Sequence, residues 1–207
     1  MKLRNLVATT VFITASSVAF AGGFDGLFVQ AGIGAANSET KISGTGTILD
    51  GSESQTSMIG SIGAGYSQSF GNFNLAANAY YILGDQDAGE RNFSNGTDSV
   101  SLKAKGSNTW GVTIEPGWNL AQNALVYAKL GYTETTAKLA ANYTIGGTSG
   151  SEQGSEKFRG YVYGIGAKYK FTQNLYGVAE VLRAEYNDKD GVEPTSSAGT
   201  LGIGYKF

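Results

Sequence analysis

The sequence predicts an all-β chain, an eight-stranded antiparallel up-and-down transmembrane β-barrel. Three observations predict it. Period-two alternation recurs in eight segments of about 11 to 14 residues, the connections between them alternate between short and long, and aromatic residues repeat at eight-residue intervals on one face. Segments of that length suit strands tilted across a membrane better than the five or six residues usual in soluble sheets.

The N-terminus is read first, because it does not belong to the fold. Lys2 and Arg4 precede a weakly polar and apolar run from Leu6 to Phe20, which ends in Ala19-Phe20-Ala21. A basic start, a short apolar stretch and a small-residue cleavage pattern make a secretory signal. The run is too short to span a bilayer as a helix, which takes about 20 residues. Residues 1–21 are therefore read as a signal peptide and 22–207 as an outer-membrane barrel domain. The signal removes Lys2 and Arg4 and no acid, leaving 13 Lys and Arg against 17 Asp and Glu, a formal charge of −4. An acidic chain without a basic patch argues against nucleic acid as a partner. Cysteine is absent, so no disulfide framework is expected. No later segment is apolar enough for a membrane helix, and a closed barrel is the other way to satisfy every backbone group in lipid.

The alternating segments fall near 24–36, 57–68, 73–83, 108–120, 124–137, 158–171, 175–187 and 195–207. In the fourth, Trp110, Val112, Ile114, Pro116, Trp118 and Leu120 share one face, opposite Gly111, Thr113, Glu115, Gly117 and Asn119. The third and sixth divide in the same way. A soluble barrel would also alternate, with its apolar face inside, so alternation alone leaves both cases open. The polar face favours the membrane barrel. It is crowded with glycine, including Gly32, Gly65, Gly111, Gly131, Gly202 and Gly204, which a water-facing surface has little need of and a narrow eight-stranded interior does need. The aromatic pairs Phe73 and Tyr81, Trp110 and Trp118, and Tyr161 and Tyr169 are each eight residues apart. At roughly 3.3 Å per residue and a tilt near 40°, that is about 20 Å along the membrane normal, an apolar band with an aromatic girdle at each edge. The competing reading is a soluble sandwich with ordinary core aromatics.

Short connections are expected at 69–72, 121–123 and 172–174, and long polar ones at 37–56, 84–107 and 138–157, with a shorter fourth at 188–194. Short periplasmic turns, longer extracellular loops and an even strand number put both termini on the periplasmic side.

The chain ends Leu201-Gly202-Ile203-Gly204-Tyr205-Lys206-Phe207, so that Leu201, Ile203, Tyr205 and Phe207 alternate to a terminal aromatic. This resembles the C-terminal assembly signal of bacterial outer-membrane proteins. With the strand pattern, residues 24–207 resemble the small porin-family barrels related to the OmpA transmembrane domain and the opacity-type adhesins. The resemblance implies a location in the bacterial cell outer membrane, contact with outer-membrane lipid and lipopolysaccharide, and recognition by the outer-membrane assembly machinery. It does not imply anchoring to the cell wall, because no further domain follows the last strand.

Chemistry is sparse. Histidine is absent, and it is the commonest general acid or base near neutral pH. No serine–histidine pair, cysteine nucleophile or Cys/His metal site can be built, so no enzyme, cofactor or metal centre is expected. Glu115, Lys129, Lys168, Lys170 and Glu180 fall on the lumen face, where charges are costly unless paired. The expected pairs are Glu115 with Lys129 and Glu180 with Lys168, a network that resembles the one plugging OmpA-type barrels. It reads either as a gate or as a satisfied polar core. Arg183 and Glu185 fall on the lipid-facing phase, which is read as a strand leaving the membrane or as a bulge. Asp85, Asp87 and Glu90, and Asp188 with Asp190, are loop acids without the ligand spacing of a known Ca²⁺ loop. Two roles remain: surface interaction, adhesion-like, through loops that contact a host or cell-surface ligand, and a narrow pore for ions or small solutes.

Overall fold

The structure, a computed structural model, describes residues 23–42, 51–95, 98–188 and 192–207. The expected signal peptide lies outside them. The strands are β1 (Gly26–Ile42), β2 (Gly51–Phe70), β3 (Phe73–Leu83), β4 (Gln86–Asn95), β5 (Asp98–Ala121), β6 (Ala124–Ile145), β7 (Thr148–Lys170), β8 (Leu175–Tyr186) and β9 (Val192–Lys206). All pairings are antiparallel. Eight strands, all but β4, close into the expected barrel: the order runs β3-β2-β1-β9-β8-β7-β6-β5, and β5 pairs back to β3.

The registers define the barrel's stagger. Following paired residues round the wall leads from Leu27 to Tyr66, Ala77, Ile114, Leu130, Tyr163, Arg183 and Ser197, and back to β1 at Asn37. The circuit returns ten residues beyond its start, and that shear tilts the strands and sets the bore.

Burial is inverted relative to a soluble protein. Along β3 the apolar phase, Phe73 to Leu83, is exposed, and the phase carrying Asn74, Ala76 and Asn78 is buried. Ile33, Ile165, Val181 and Leu201 are each about two-thirds exposed on the outer wall, as expected where lipid is the solvent. Inside, aromatics are matched to glycines. Phe28 lies across from Gly65, Tyr80 from Gly111, Tyr127 from Gly166 and Tyr176 from Gly204. A Cβ on Gly166 would stand 2.4 Å from the Tyr127 ring, and one on Gly204 2.1 Å from that of Tyr176. The inward glycines thus make room for rings that fill the bore.

Periplasmic turns are short, and Thr172 Oγ1 closes one by accepting from the amides of Asn174 and Leu175 at 3.3 and 2.9 Å. The extracellular side departs from expectation. The segments 84–107 and 138–157, read as long loops, are largely strand: β4 pairs with the start of β5, and β6 runs unbroken into β7 through the two-residue turn Gly146-Gly147. Both turn residues have positive φ, 58° and 81°, the conformation a tight hairpin requires and glycine adopts at no steric cost. Similarly, β1 and β2 pair as far as Ile42↔Gly51. Because β3 stops at Leu83 and β8 at Tyr186, two raised sheets stand above the barrel, β2-β1-β9 and β4-β5-β6-β7. The extensions of β1, β2 and β7 are polar throughout and carry no period-two signal, whereas Val100, Leu102 and Ala104 on β5 and Leu139, Ala141, Tyr143 and Ile145 on β6 do alternate, a signal that lies inside the segments read as loops.

Candidate functional site: the lumen plug and the outer rim

Four charges meet inside the barrel at mid-height. Glu115 stands on β5 and Lys129 on β6, at a point where the ladder is interrupted between Ile114↔Leu130 and Gly117↔Tyr127 beside Pro116, which has no N–H to donate. Lys129 Nζ lies 3.3 Å from Glu115 Oε1 and also contacts Glu180 Oε1 from β8. Lys168, on β7, donates to Glu115 Oε2 at 2.8 Å. The expected Glu180–Lys168 pair is therefore replaced. Lys168 turns to Glu115, while Glu180 takes Lys129 and the Tyr127 hydroxyl, which donates to it at 2.6 Å. Asn78 Nδ2, on β3, donates to Glu115 at 3.2 Å.

The plug is sealed by rings. The Lys168 ammonium sits 4.6 Å from the Tyr127 ring centroid and 4.7 Å from that of Phe28, with Tyr176 at 5.9 Å. Such contacts set the negative face of each ring toward the ammonium. Glu115, Lys129 and Lys168 are only 1, 2 and 4 % exposed. Two carboxylates and two ammoniums balance, which is the condition for burying them. Lys170 is not part of this network. It points to the periplasmic mouth, where it donates to the Gly23 carbonyl at 2.7 Å beside the Phe24 ring, because it lies one inward step below Lys168 and the shear carries the carboxylates of β5 and β8 out of its reach.

On the outside, Phe73 pairs with Trp118 and Tyr81 with Trp110, so β3 and β5 carry both rings of aromatics in register. Tyr161 faces Tyr132 on β6, and the Tyr132 ring packs edge-on to Trp110 at 6.1 Å. Tyr169 packs against Phe171 at the other end. Leu201, Ile203 and Tyr205 face outward on β9 and Phe207 just beyond its end is exposed as well, with Tyr205 and Phe207 edge to face at 5.2 Å.

The outer membrane protein β-barrel domain family matches residues 6–207. The chain belongs to that family. Membership places it in the bacterial outer membrane. No curated protein matches it in sequence. Among solved structures, the outer membrane protease OmpT of Escherichia coli is 10 % identical, with 93 % of this chain and 99 % of that one covered and a TM-score of 0.51. The attachment invasion locus protein Ail of Yersinia pestis is 17 % identical over 88 % of this chain and 99 % of its own, at a TM-score of 0.47. Neisserial surface protein A is 17 % identical over 87 % and 97 %, at 0.43. At such identities a likeness concerns the fold alone.

Two features of this β-barrel went unread in the sequence. One is the set of inward rings, Phe28, Tyr80, Tyr127 and Tyr176, whose signal was a glycine at each cross-strand position, visible only once the register is known. The other lies at the extracellular rim. Glu134, on the outward phase of β6, accepts from Lys157 Nζ at 3.1 Å and Arg159 Nε at 3.0 Å on β7. These two donors hold its carboxyl below the ordinary range. Beside them Arg183 Nε donates to Glu185 at 3.1 Å, and Glu185 also accepts from the Tyr163 hydroxyl at 2.7 Å. The β7–β8 ladder is regular here, without a bulge. Among the described residues no group of three His, Cys, Asp or Glu could hold a metal. The side chains of Asp87, Glu90 and Asp190 fall outside the described residues.

Proposed function

We propose that the protein is exported through the signal at residues 1–21, assembles with the help of its C-terminal aromatic signal, and works as a closed scaffold that displays an interaction surface on the cell exterior. It carries out no catalysis. The observation that carries this reading is the pair of raised sheets: β5, β6 and β7 run 22 to 24 residues, roughly twice what a bilayer crossing needs. Strand length beyond the rim builds a rigid platform, and binding functions usually sit on such exposed segments held by a rigid frame. The partner is a ligand on a host or neighbouring cell surface.

The test is replacement of 86–105, which removes β4 and its partner segment of β5, by a short turn. Binding of bacteria or of protein-bearing vesicles to target cells is expected to fall while the barrel stays folded. Unchanged binding would remove this surface from consideration. A pore through the lumen is disfavoured by the sealed charge cluster between Tyr127, Tyr176 and Phe28.

A further inference from the structure

The lumen changes character above the charge plug. Lumen-facing positions of an outer-membrane barrel are usually polar, but here the inward phase turns aliphatic: Ala36, Ile59 and Val162 are 2, 6 and 4 % exposed, with Leu182 beside them. These side chains stand where rings stand lower down. Phe28, Tyr127 and Tyr176 fill the space left by the glycines opposite them, whereas Ile59 lies across from Gly34, Val162 from Gly131 and Leu182 from Gly164, and an aliphatic group is too small to do the same. A half-enclosed chamber of about 70 Å³ remains, running from Lys129 and Glu180 up to Thr109 and Ser196 at the rim. Its two sides differ. Paired residues run in one row from Tyr80 through Gly111, Thr133 and Gly160 to Tyr186, across β3, β5, β6, β7 and β8, and over those two glycines the hydroxyls of Tyr80 and Tyr186 meet at Thr133. The three remaining strands of the barrel, β9, β1 and β2, bring Ala198, Ala36 and Ile59 to the chamber.

We infer that this chamber is a binding site for a small uncharged molecule with a short aliphatic chain and one hydroxyl, its hydroxyl on the Tyr80, Thr133 and Tyr186 side and its chain against Ala36, Ile59 and Ala198. A tyrosine hydroxyl engaged in one hydrogen bond keeps the capacity for another. Water alone fits poorly, because a buried water needs two to four polar partners and the walls at Ala36, Ile59 and Val162 supply none. An ionic ligand fits no better. The floor is the Lys129 and Glu180 pair of a cluster that is already neutral, and a further charge there would be buried without a partner. Size excludes a ring, since an aliphatic cavity that holds benzene measures about 150 Å³. The plug beneath keeps the ligand from crossing, so the site retains its occupant and does not conduct it. It is independent of what the raised sheets bind.

The experiment titrates the folded barrel, in lipid nanodiscs and with labelled Ile, Leu and Val methyl groups, with n-pentanol, benzyl alcohol and pentanoate, and reads the methyl shifts by NMR. Pentanol is expected to shift the methyls of Ile59, Val162 and Leu182 saturably. Those of Ile33, Ile165 and Val181 on the lipid side are expected to change only in proportion to the alcohol added, as partition into the bilayer requires. Pentanoate is expected to bind about tenfold more weakly, and benzyl alcohol to give no saturation. Ala198→Leu, which places a larger side chain in the chamber, is expected to abolish saturation by pentanol; Ala184→Leu serves if that variant does not fold. Tyr186→Phe, which removes a hydroxyl and keeps the ring, is expected to weaken pentanol binding about fivefold. Absence of saturable shifts at the inward methyls, or shifts unchanged in the filled variants, overturns the proposal. Benzyl alcohol or pentanoate binding as tightly as pentanol overturns the assignment of a short chain with a hydroxyl, and so does an unaltered affinity in Tyr186→Phe. Failure of the adhesion reading would leave every one of these outcomes unchanged.

Discussion

Lys129 is the residue on which the lumen depends most, because it stands between two carboxylates that have unequal alternatives. Glu115 keeps Lys168 and Asn78 if Lys129 is removed; Glu180 keeps only the Tyr127 hydroxyl. Breaking a buried pair by deleting one partner costs about 3–5 kcal/mol. Lys129→Met is therefore expected to lower stability by that order in urea unfolding from lipid vesicles, and adding Glu180→Gln should recover part of the loss. A purely solvated pair would show neither effect. The inward glycines give a second prediction at this scale. Gly166→Val would drive a side chain into the Tyr127 ring, whose nearest atom already lies 2.4 Å from the position of a Cβ. Overpacking of this kind costs about 1–3 kcal/mol. The same denaturation experiment should find Gly154→Val, where nothing lies within 4 Å, far milder. The charged residues of the lumen could be read from the sequence as a set, since period two assigns each to a face. Their partners could not, because Glu115 and Lys168 are 53 residues apart and on strands that are not neighbours.

Strand β5 changes its work half-way along. From Trp118 to Trp110 it is barrel wall paired with β3, and from Gly106 to Asp98 it is raised sheet paired with β4. The change takes place at Asn108, the one described non-glycine residue with positive φ, 51°, inside the register shift between Ser107 and Trp110. Asparagine tolerates that conformation better than most residues, and its Oδ1 accepts from the Tyr81 hydroxyl at 3.0 Å. This irregularity bends the strand where the barrel ends, as bulges at rims commonly do. Asn108→Val, which is β-branched and loses the hydrogen bond, is expected to cost on the order of 1–3 kcal/mol. Limited proteolysis should show the raised segment of β5 cut before the barrel is. Equal protection in variant and wild type would mean that the bend is held by pairing alone. The strands themselves were legible wherever one face meets lipid and the other the lumen. Beyond the rim the polar extensions of β1, β2 and β7 carried no alternation, while those of β5 and β6 did, in Val100, Leu102 and Ala104 and in Leu139, Ala141, Tyr143 and Ile145, and with Gly146-Gly147 they marked a hairpin inside a segment read as a loop.

At the scale of the whole molecule, a shear of ten on eight strands leaves a bore that side chains fill, and the rings of Phe28, Tyr127 and Tyr176 close it around a neutral charge cluster. In a planar bilayer the folded protein is expected to pass no steady single-channel current, and Lys129→Ala is expected to leave it silent. Reproducible openings that change with that substitution would reassign the lumen charges to conduction. What the sequence by itself determined was the alternation, and with it the strand class, the lipid-facing and lumen-facing phases and the order of an up-and-down barrel, because a side chain's face in a strand depends only on its parity. The tertiary structure decided everything that depends on shear and closure. It set which charges meet across the lumen, which glycine lies opposite which ring, and which cations of β7 reach the carboxylate of Glu134. Those contacts join residues whose separation along the chain says nothing of their height on the barrel, and height is known only when the circuit of hydrogen bonds has closed.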